Sequence, residues 1–156
     1  MGKRRSLRYS DSMAEDAYLA LQVVMMPRDA NPLPTVVPGM VHTFLYSTIF
    51  GGVILSYIDQ AGAIGARREV LRAGGSAPFL VTVAMNRVEF HQPVLVGDVV
   101  RFLTRLVRLG RTSITVHVSV EAERGQQVLQ VTEAEVVYVG IDPTSAQRRP
   151  KPLVGA

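Results

Sequence analysis

The sequence contains no cysteine. That excludes a disulfide scaffold, a thiolate-ligated zinc site and a thiol nucleophile. No segment has the uninterrupted apolar length of a membrane-spanning helix, about 20 residues. The basic start, Lys3-Arg4-Arg5, is not followed by the apolar stretch of a secretory signal. A cytoplasmic protein without membrane contact is therefore expected. Met1-Gly2-Lys3-Arg4-Arg5-Ser6 does fit the short N-myristoylation pattern, but a solvated start is the more ordinary reading of so loose a match. No pair among His42, His91 and His117 has metal-ligand spacing, so no metal is expected. There is no Gly-x-Ser-x-Gly elbow, no phosphate-cradling glycine-rich loop and no internal repeat.

What is present is a globular composition: 156 residues, 47% hydrophobic and 19% charged. One domain is expected at this length, large enough to bury a single core. The formal charge of +4 is concentrated at the ends, in Lys3, Arg4, Arg5 and Arg8 and in Arg148, Arg149 and Lys151. Without those seven, 10 basic side chains face 13 acidic ones. A nucleic-acid reader carries its basic stripe on the fold itself, so no nucleic acid is expected. The ends read as solvated tails, or as electrostatic help for a small anionic ligand. The division that follows is a disordered basic tail over 1–15, one domain over 16–142 and a basic tail over 143–156.

Tyr18 to Met26 is an apolar run halted by Pro27 and reads as a first strand. Proline and glycine punctuate the next stretch as loop, yet it is unusually apolar between Val36 and Phe50, which suggests a lid or buried cover. Gly51 to Arg72 reads as a helix of about 30 Å, closed by Gly74-Gly75, with Arg67, Arg68 and Arg72 toward its C-terminal half. It is apolar on most sides, so a central position is expected. Strands follow at 81–90, 99–109, from 112, where Ile114, Val116, Val118 and Val120 alternate with polar residues, and at 128–141. The order predicts an α+β fold in which an antiparallel sheet, its last four strands in a meander, wraps around one long helix. Its open edge favours dimerisation.

Asp59 stands out because it lies mid-helix in an apolar run, near Leu55, Ser56, Gly62 and Ala63, with Gly52 and Ala66 a turn away. A carboxylate among small residues has room beside it for a ligand and suits a base. The ordinary alternative is a wet helix face or a pairing with Arg67. Gly51-Gly52 at the helix start would expose backbone N–H groups that can stabilise an oxyanion, or could be only a tight turn. Asn31, held extended by Pro32, could orient a water or a carbonyl, although an Asx turn is the commoner use. Of the histidines, His117 is expected to be exposed, His91 to sit at a strand end, and His42 to be structural.

These residues carry a resemblance. The segments Met26-Pro-Arg-Asp-Ala-Asn31, Ile49-Phe-Gly-Gly-Val-Ile-Leu-Ser-Tyr-Ile-Asp-Gln-Ala-Gly-Ala63, Val81-Thr-Val-Ala84, Pro93-Val-Leu-Val-Gly-Asp-Val-Val100, Gly110-Arg-Thr-Ser-Ile114 and Val131-Thr-Glu-Ala134 occur in one order over residues 20 to 142. In them the chain resembles the hotdog-fold acyl-CoA thioesterases of the cytosolic acyl-CoA hydrolase type. The resemblance implies a hotdog protomer, a homodimer with two sites at its interface, and a trimer of such dimers. It implies hydrolysis of acyl-CoA to free acid and CoA, with no cofactor because coenzyme A belongs to the substrate. The catalytic positions match Asp59, as general base or nucleophile, Asn31, and the amides at Gly51 and Gly52. Asp59 and Asn31 are expected to meet across the interface. The CoA-binding positions match Val81, Thr82, Val83, Arg111, Thr112 and Ser113, with Arg148, Arg149 or Lys151 in reach of the phosphates.

The chain departs from that family in one place: the stretch 32–49 is much longer, and adds Val37, Met40, His42, Phe44, Leu45 and Tyr46. It could form a lid, narrow the acyl pocket or displace Asn31. A non-hydrolytic acyl-CoA-binding protein is therefore the alternative expectation. A hotdog dehydratase is less well matched, because no histidine lies in or beside the helix.

Overall fold

The computed structural model describes residues 16–32, 47–76 and 78–155. In it, the valine alternation becomes the inner face of a long strand: Ile114, Val116, Val118, Val120 and Ala122 are buried. Five strands, β1 (Tyr18–Val24), β2 (Phe79–Phe90), β3 (Val99–Leu109), β4 (Ser113–Arg124) and β5 (Gln127–Ile141), form one antiparallel sheet in the order β1-β3-β4-β5-β2. One helix, α1 (Gly51–Arg72), lies against it, and a short 3-10 turn occupies Pro27–Asp29. The expected α+β sheet-on-helix architecture is present. The meander is shorter than expected, however. Only β3, β4 and β5 follow one another, while β2 pairs with β5 at the far edge. The link from His91 to Asp98 is too long for a hairpin and crosses the end of the sheet instead.

α1 buries a single stripe, Ile54, Ile58, Ala61, Gly62, Gly65, Ala66 and Val70. Its small members set the depth of contact. A Cβ on Gly65 would lie 2.6 Å from the Thr104 Cβ, and one on Gly62 would overlap the Tyr138 hydroxyl. Ile64 and Leu71 on the opposite side are exposed. The protomer therefore covers one face of the helix, not every face as its composition suggested.

Two connections lock the ends of the sheet. Asp98, 4% exposed, receives the Arg124 guanidinium in a two-point grip, Nε to Oδ1 at 3.1 Å and Nη2 to Oδ2 at 2.7 Å, and also accepts the Leu95 amide at 2.9 Å. The carboxylate holds the Arg124 guanidinium even more firmly protonated than usual. At the other end, the segment after β5, read from sequence as a solvated tail, folds back onto the domain. Lys151 N donates to Gly140 O at 2.8 Å, Leu153 N donates to Arg111 O at 2.9 Å, and Leu153 is buried. Gly140 has no side chain where the Leu153 methyl sits, so the apolar Leu153 outweighs the cations around it. The expected tail over 1–15 lies outside the described residues.

Asp98→Ala leaves the Arg124 charge without its partner and is expected to cost about 3 kcal/mol in urea unfolding. Glu135→Gln, which breaks the exposed pair with Arg87, is expected to cost under about 1 kcal/mol in the same assay.

Candidate active site

Asp59 is half-buried, two turns into α1, and faces the β2–β5 edge of the sheet. The Thr82 hydroxyl on β2 donates to its Oδ1 at 2.6 Å. The Tyr138 hydroxyl on β5 donates to its backbone carbonyl at 2.6 Å and lies 3.3 Å from Oδ1. Among the described residues, Oδ2 accepts no hydrogen bond. The carboxylate is thus held by one oxygen and open at the other. Burial, and then the nearby Asp59 charge, raise the Tyr138 hydroxyl well above its ordinary pKa, so it remains a donor at all working pH values. Of the two sequence-based alternatives, neither the wet face nor the pairing with Arg67 describes this carboxylate. The space beside Gly62 belongs to Tyr138, not to a ligand.

Tyr138 is the residue that sequence reasoning missed. It occupies the buried face of β5 between Val136 and Gly140, and a phenol in such a position needs a partner. That was the available signal. The Thr82 hydroxyl, in the segment whose backbone is expected to hold CoA, points at Asp59.

The second group lies at the start of α1. Phe50 caps the helix without a side-chain hydrogen bond, and among the described residues the amides of Gly51 and Gly52 have no acceptor. They carry the positive end of the helix dipole. The chain before Asn31 is fastened to the approach to the helix: the Phe50 amide donates to Asp29 O at 3.0 Å, Ala30 bridges Ile49, and the backbone N–H of Asn31 donates to Thr48 O at 2.7 Å. The long stretch after Asn31 therefore leaves and returns through a closed stem. Residues 33–46, including His42 and the other added apolar side chains, lie outside the described residues. A groove of about 370 Å³ runs past this helix start, lined by Thr48, Ile49, Gly51, Ile54, Phe90 and His91 among others.

The structure pairs Asn31 with Thr48, three residues before Gly51, and does not bring Asp59 to the helix start. Eight residues of helix separate Gly51 from Asp59, about 12 Å along the axis. At the opposite end of the sheet, Val81 and Ser113 flank Val139 from β2 and β4, about 10 Å apart. Arg111 and Thr112 form the exposed turn there, and the returning C-terminal segment, with Arg149 and Lys151 exposed, runs alongside. Val83 is exposed on the free edge of β2, as are Phe79 and Phe90.

His117 is partly buried, not exposed as expected; burial, with Arg105 nearby, lowers its pKa, against the opposing pull of Glu133 and Glu135. His91, at the end of β2, lies 3.6 Å from the Glu133 carboxylate.

The profile described as Thioesterase superfamily matches residues 46–129. Among relatives, the acyl-CoA thioester hydrolase YciA of Salmonella typhimurium is 34% identical over 143 residues, covering 88% of this chain and 92% of that protein. Among solved structures, a hexameric hotdog fold thioesterase of Campylobacter jejuni is 35% identical, with a TM-score of 0.67 over 86% of this chain and 88% of that one. A hexameric thioesterase of Yersinia pestis is 30% identical, with a TM-score of 0.69 over 88% of this chain and 95% of that one.

The contact between Gly62 and Tyr138 is testable by a double-mutant cycle. Gly62→Ala is expected to lose about 1–3 kcal/mol by overpacking, and Tyr138→Phe about 1 kcal/mol by leaving the Asp59 carbonyl unpaired. Combined, they are expected to cost less than their sum, because Phe vacates the place the new methyl needs. Urea unfolding of the four proteins measures this.

Proposed function

The chain belongs to the thioesterase superfamily, and from that premise we propose that it hydrolyses acyl-CoA thioesters to the free carboxylic acid and coenzyme A, with Asp59 as general base or nucleophile and the amides of Gly51 and Gly52 as the oxyanion hole. The observation that carries this reading is the half-held carboxylate of Asp59. Thr82 and Tyr138 fix its position and leave Oδ2 for a water or for the carbonyl carbon. As base, that oxygen takes the proton of a water whose oxygen bonds to the thioester carbon. As nucleophile, it forms an acyl intermediate that water then cleaves. In either case the carbonyl oxygen gains charge near unpaired amides at a helix N-terminus, where that charge is favoured. The C–S bond then breaks, and a thiolate leaves without needing a strong acid.

The base and the oxyanion donors must act on the same carbonyl. At about 12 Å apart on one helix they cannot, so the site is shared: Gly51, Gly52 and Asn31 of one chain work with Asp59 of a second. Pairing of the free β2 edges would cover Phe79, Val83 and Phe90 in such a homodimer. A trimer of these dimers fits the hexamers of the two structural relatives. Val81 and Val83 on that edge, with Arg111, Thr112 and Ser113 at the sheet end, form the CoA-binding surface. Arg149 and Lys151 border it and suit the phosphates. No cofactor is required. The binding-only alternative is less favoured, because Asn31 and Ala30 are joined at the backbone to Thr48 and Ile49 on the chain that enters α1.

Two experiments test this. In a thiol-release assay over short, medium, long and aromatic acyl-CoAs, Asp59→Ala is expected to lower turnover at least about 100-fold, with CoA binding and assembly intact. Unchanged turnover would remove Asp59 from the mechanism, and loss of assembly would make it a structural residue. In the second, inactive Asn31→Ala and Asp59→Ala chains are co-expressed. Mixed dimers would hold one complete site, restoring roughly a quarter of the wild-type rate on random pairing. No recovery would place both residues of each site in one chain.

A further inference from the structure

We propose that Glu89, His91 and Glu133, with His117 beside them, form a binding site for a zinc-class divalent metal ion on the outer face of the sheet. The sequence predicts no metal because no two histidines are suitably spaced. The sheet supplies what sequence spacing does not. Glu89 stands opposite Glu133 in the β2–β5 ladder, and His117 stands opposite Glu135, two residues along the same face. His91 follows Glu89 by two and is tied to β5 through its amide, which donates to Val131 O at 2.9 Å. All four side chains lie on the face turned away from α1, since Val116, Val118, Ala134 and Val136 point into the core.

One donor atom each from Glu89, His91 and Glu133 lies within 4.8 Å of the others. Within that set, His91 Nε2 is 3.6 Å from Glu133 Oε1; outside it, His117 Nε2 is 3.7 Å from the other carboxylate oxygen, Glu133 Oε2. Donors around a tetrahedral zinc, at bonds of about 2.0–2.1 Å, stand roughly 3.4 Å apart. Small rotations of partly exposed side chains close the difference. One imidazole and two carboxylates, with a second imidazole beside Glu133, form a nitrogen–oxygen donor set that suits zinc better than magnesium or calcium.

The local charge also favours a cation. Two carboxylates directly opposed on neighbouring strands repel, and a β-bulge creates that opposition: the register shifts between Asn86 and Glu89, with Arg87 at φ 53°. The Arg87 guanidinium is engaged with Glu135 at 3.3 Å, while the ion pairs of Glu133 are with the two imidazoles. Arg105 is the other cation near His117. His91 also lines the groove at the α1 N-terminus, so a bound ion would staple the end of the β2 edge strand to β4 and β5 beside that groove. The ion's role here is to brace the strand, not to take part in hydrolysis.

The chain has no cysteine and three histidines, which makes the assignment clean. Untagged, chelator-stripped protein is titrated with Zn²⁺ by calorimetry and with Co²⁺ in the visible spectrum. Expected are one Zn²⁺ per chain at micromolar affinity or tighter, the intense bands of tetrahedral Co²⁺, and a Zn²⁺-dependent rise in Tm. His91→Ala should weaken binding at least about tenfold and abolish the Co²⁺ bands, as should Glu133→Gln, while His42→Ala should leave both unchanged. Absence of saturable binding would reduce the cluster to histidine–carboxylate ion pairs and overturn the proposal. So would binding that survives His91→Ala and Glu133→Gln, or that is lost with His42→Ala.

Discussion

The close approach of α1 to the sheet at Gly62 and Gly65 is the constraint on which the site depends. At those positions the helix has no side chain where Tyr138 and Thr104 stand. The helix therefore settles deep enough for the Tyr138 hydroxyl to reach the Asp59 carbonyl and for Thr82 to reach its carboxylate. A charged group within an apolar helix becomes tolerable because these donors replace part of its water. The same depth leaves one carboxylate oxygen open, which is the oxygen the proposed chemistry would use. Packing and the orientation of Asp59 are thus one arrangement: the residues that bring helix and sheet together also aim the carboxylate.

A second constraint comes from helix geometry. The rise of an α-helix separates Gly51 from Asp59 by about two turns. On the proposed reading, a single chain therefore carries both halves of the site without being able to use them on one substrate. Pairing of the free β2 edge would resolve this and cover its exposed apolar side chains. The protomer keeps its own integrity through the Asp98–Arg124 grip at one end of the sheet and the return of Leu153 at the other.

The stretch between Asn31 and Thr48 is anchored at both ends. Its ends are hydrogen-bonded to one another and to the strand connection, through Ala30 with Ile49 and Thr48 with Leu95. Asn31 is held to Thr48, three residues before Gly51.

Local pattern determined a good deal. The period-two alternation marked β4, the glycine-bounded apolar run marked α1, and Asp59 stood out because a charge in such a helix requires a reason. Those features are short-range, and hydrophobic periodicity encodes them directly. The sequence did not reveal that β2 crosses to β5, that Leu153 returns to the core, that Tyr138 supports Asp59, or that Glu89, His91, Glu133 and His117 converge. Each of these pairs residues far apart in the chain, and the sheet register that joins them arises only when one face of every strand must be buried at once. Tertiary structure alone decided them, because a side chain's partners are set by strand order and helix depth, and neither is written in any local stretch of sequence.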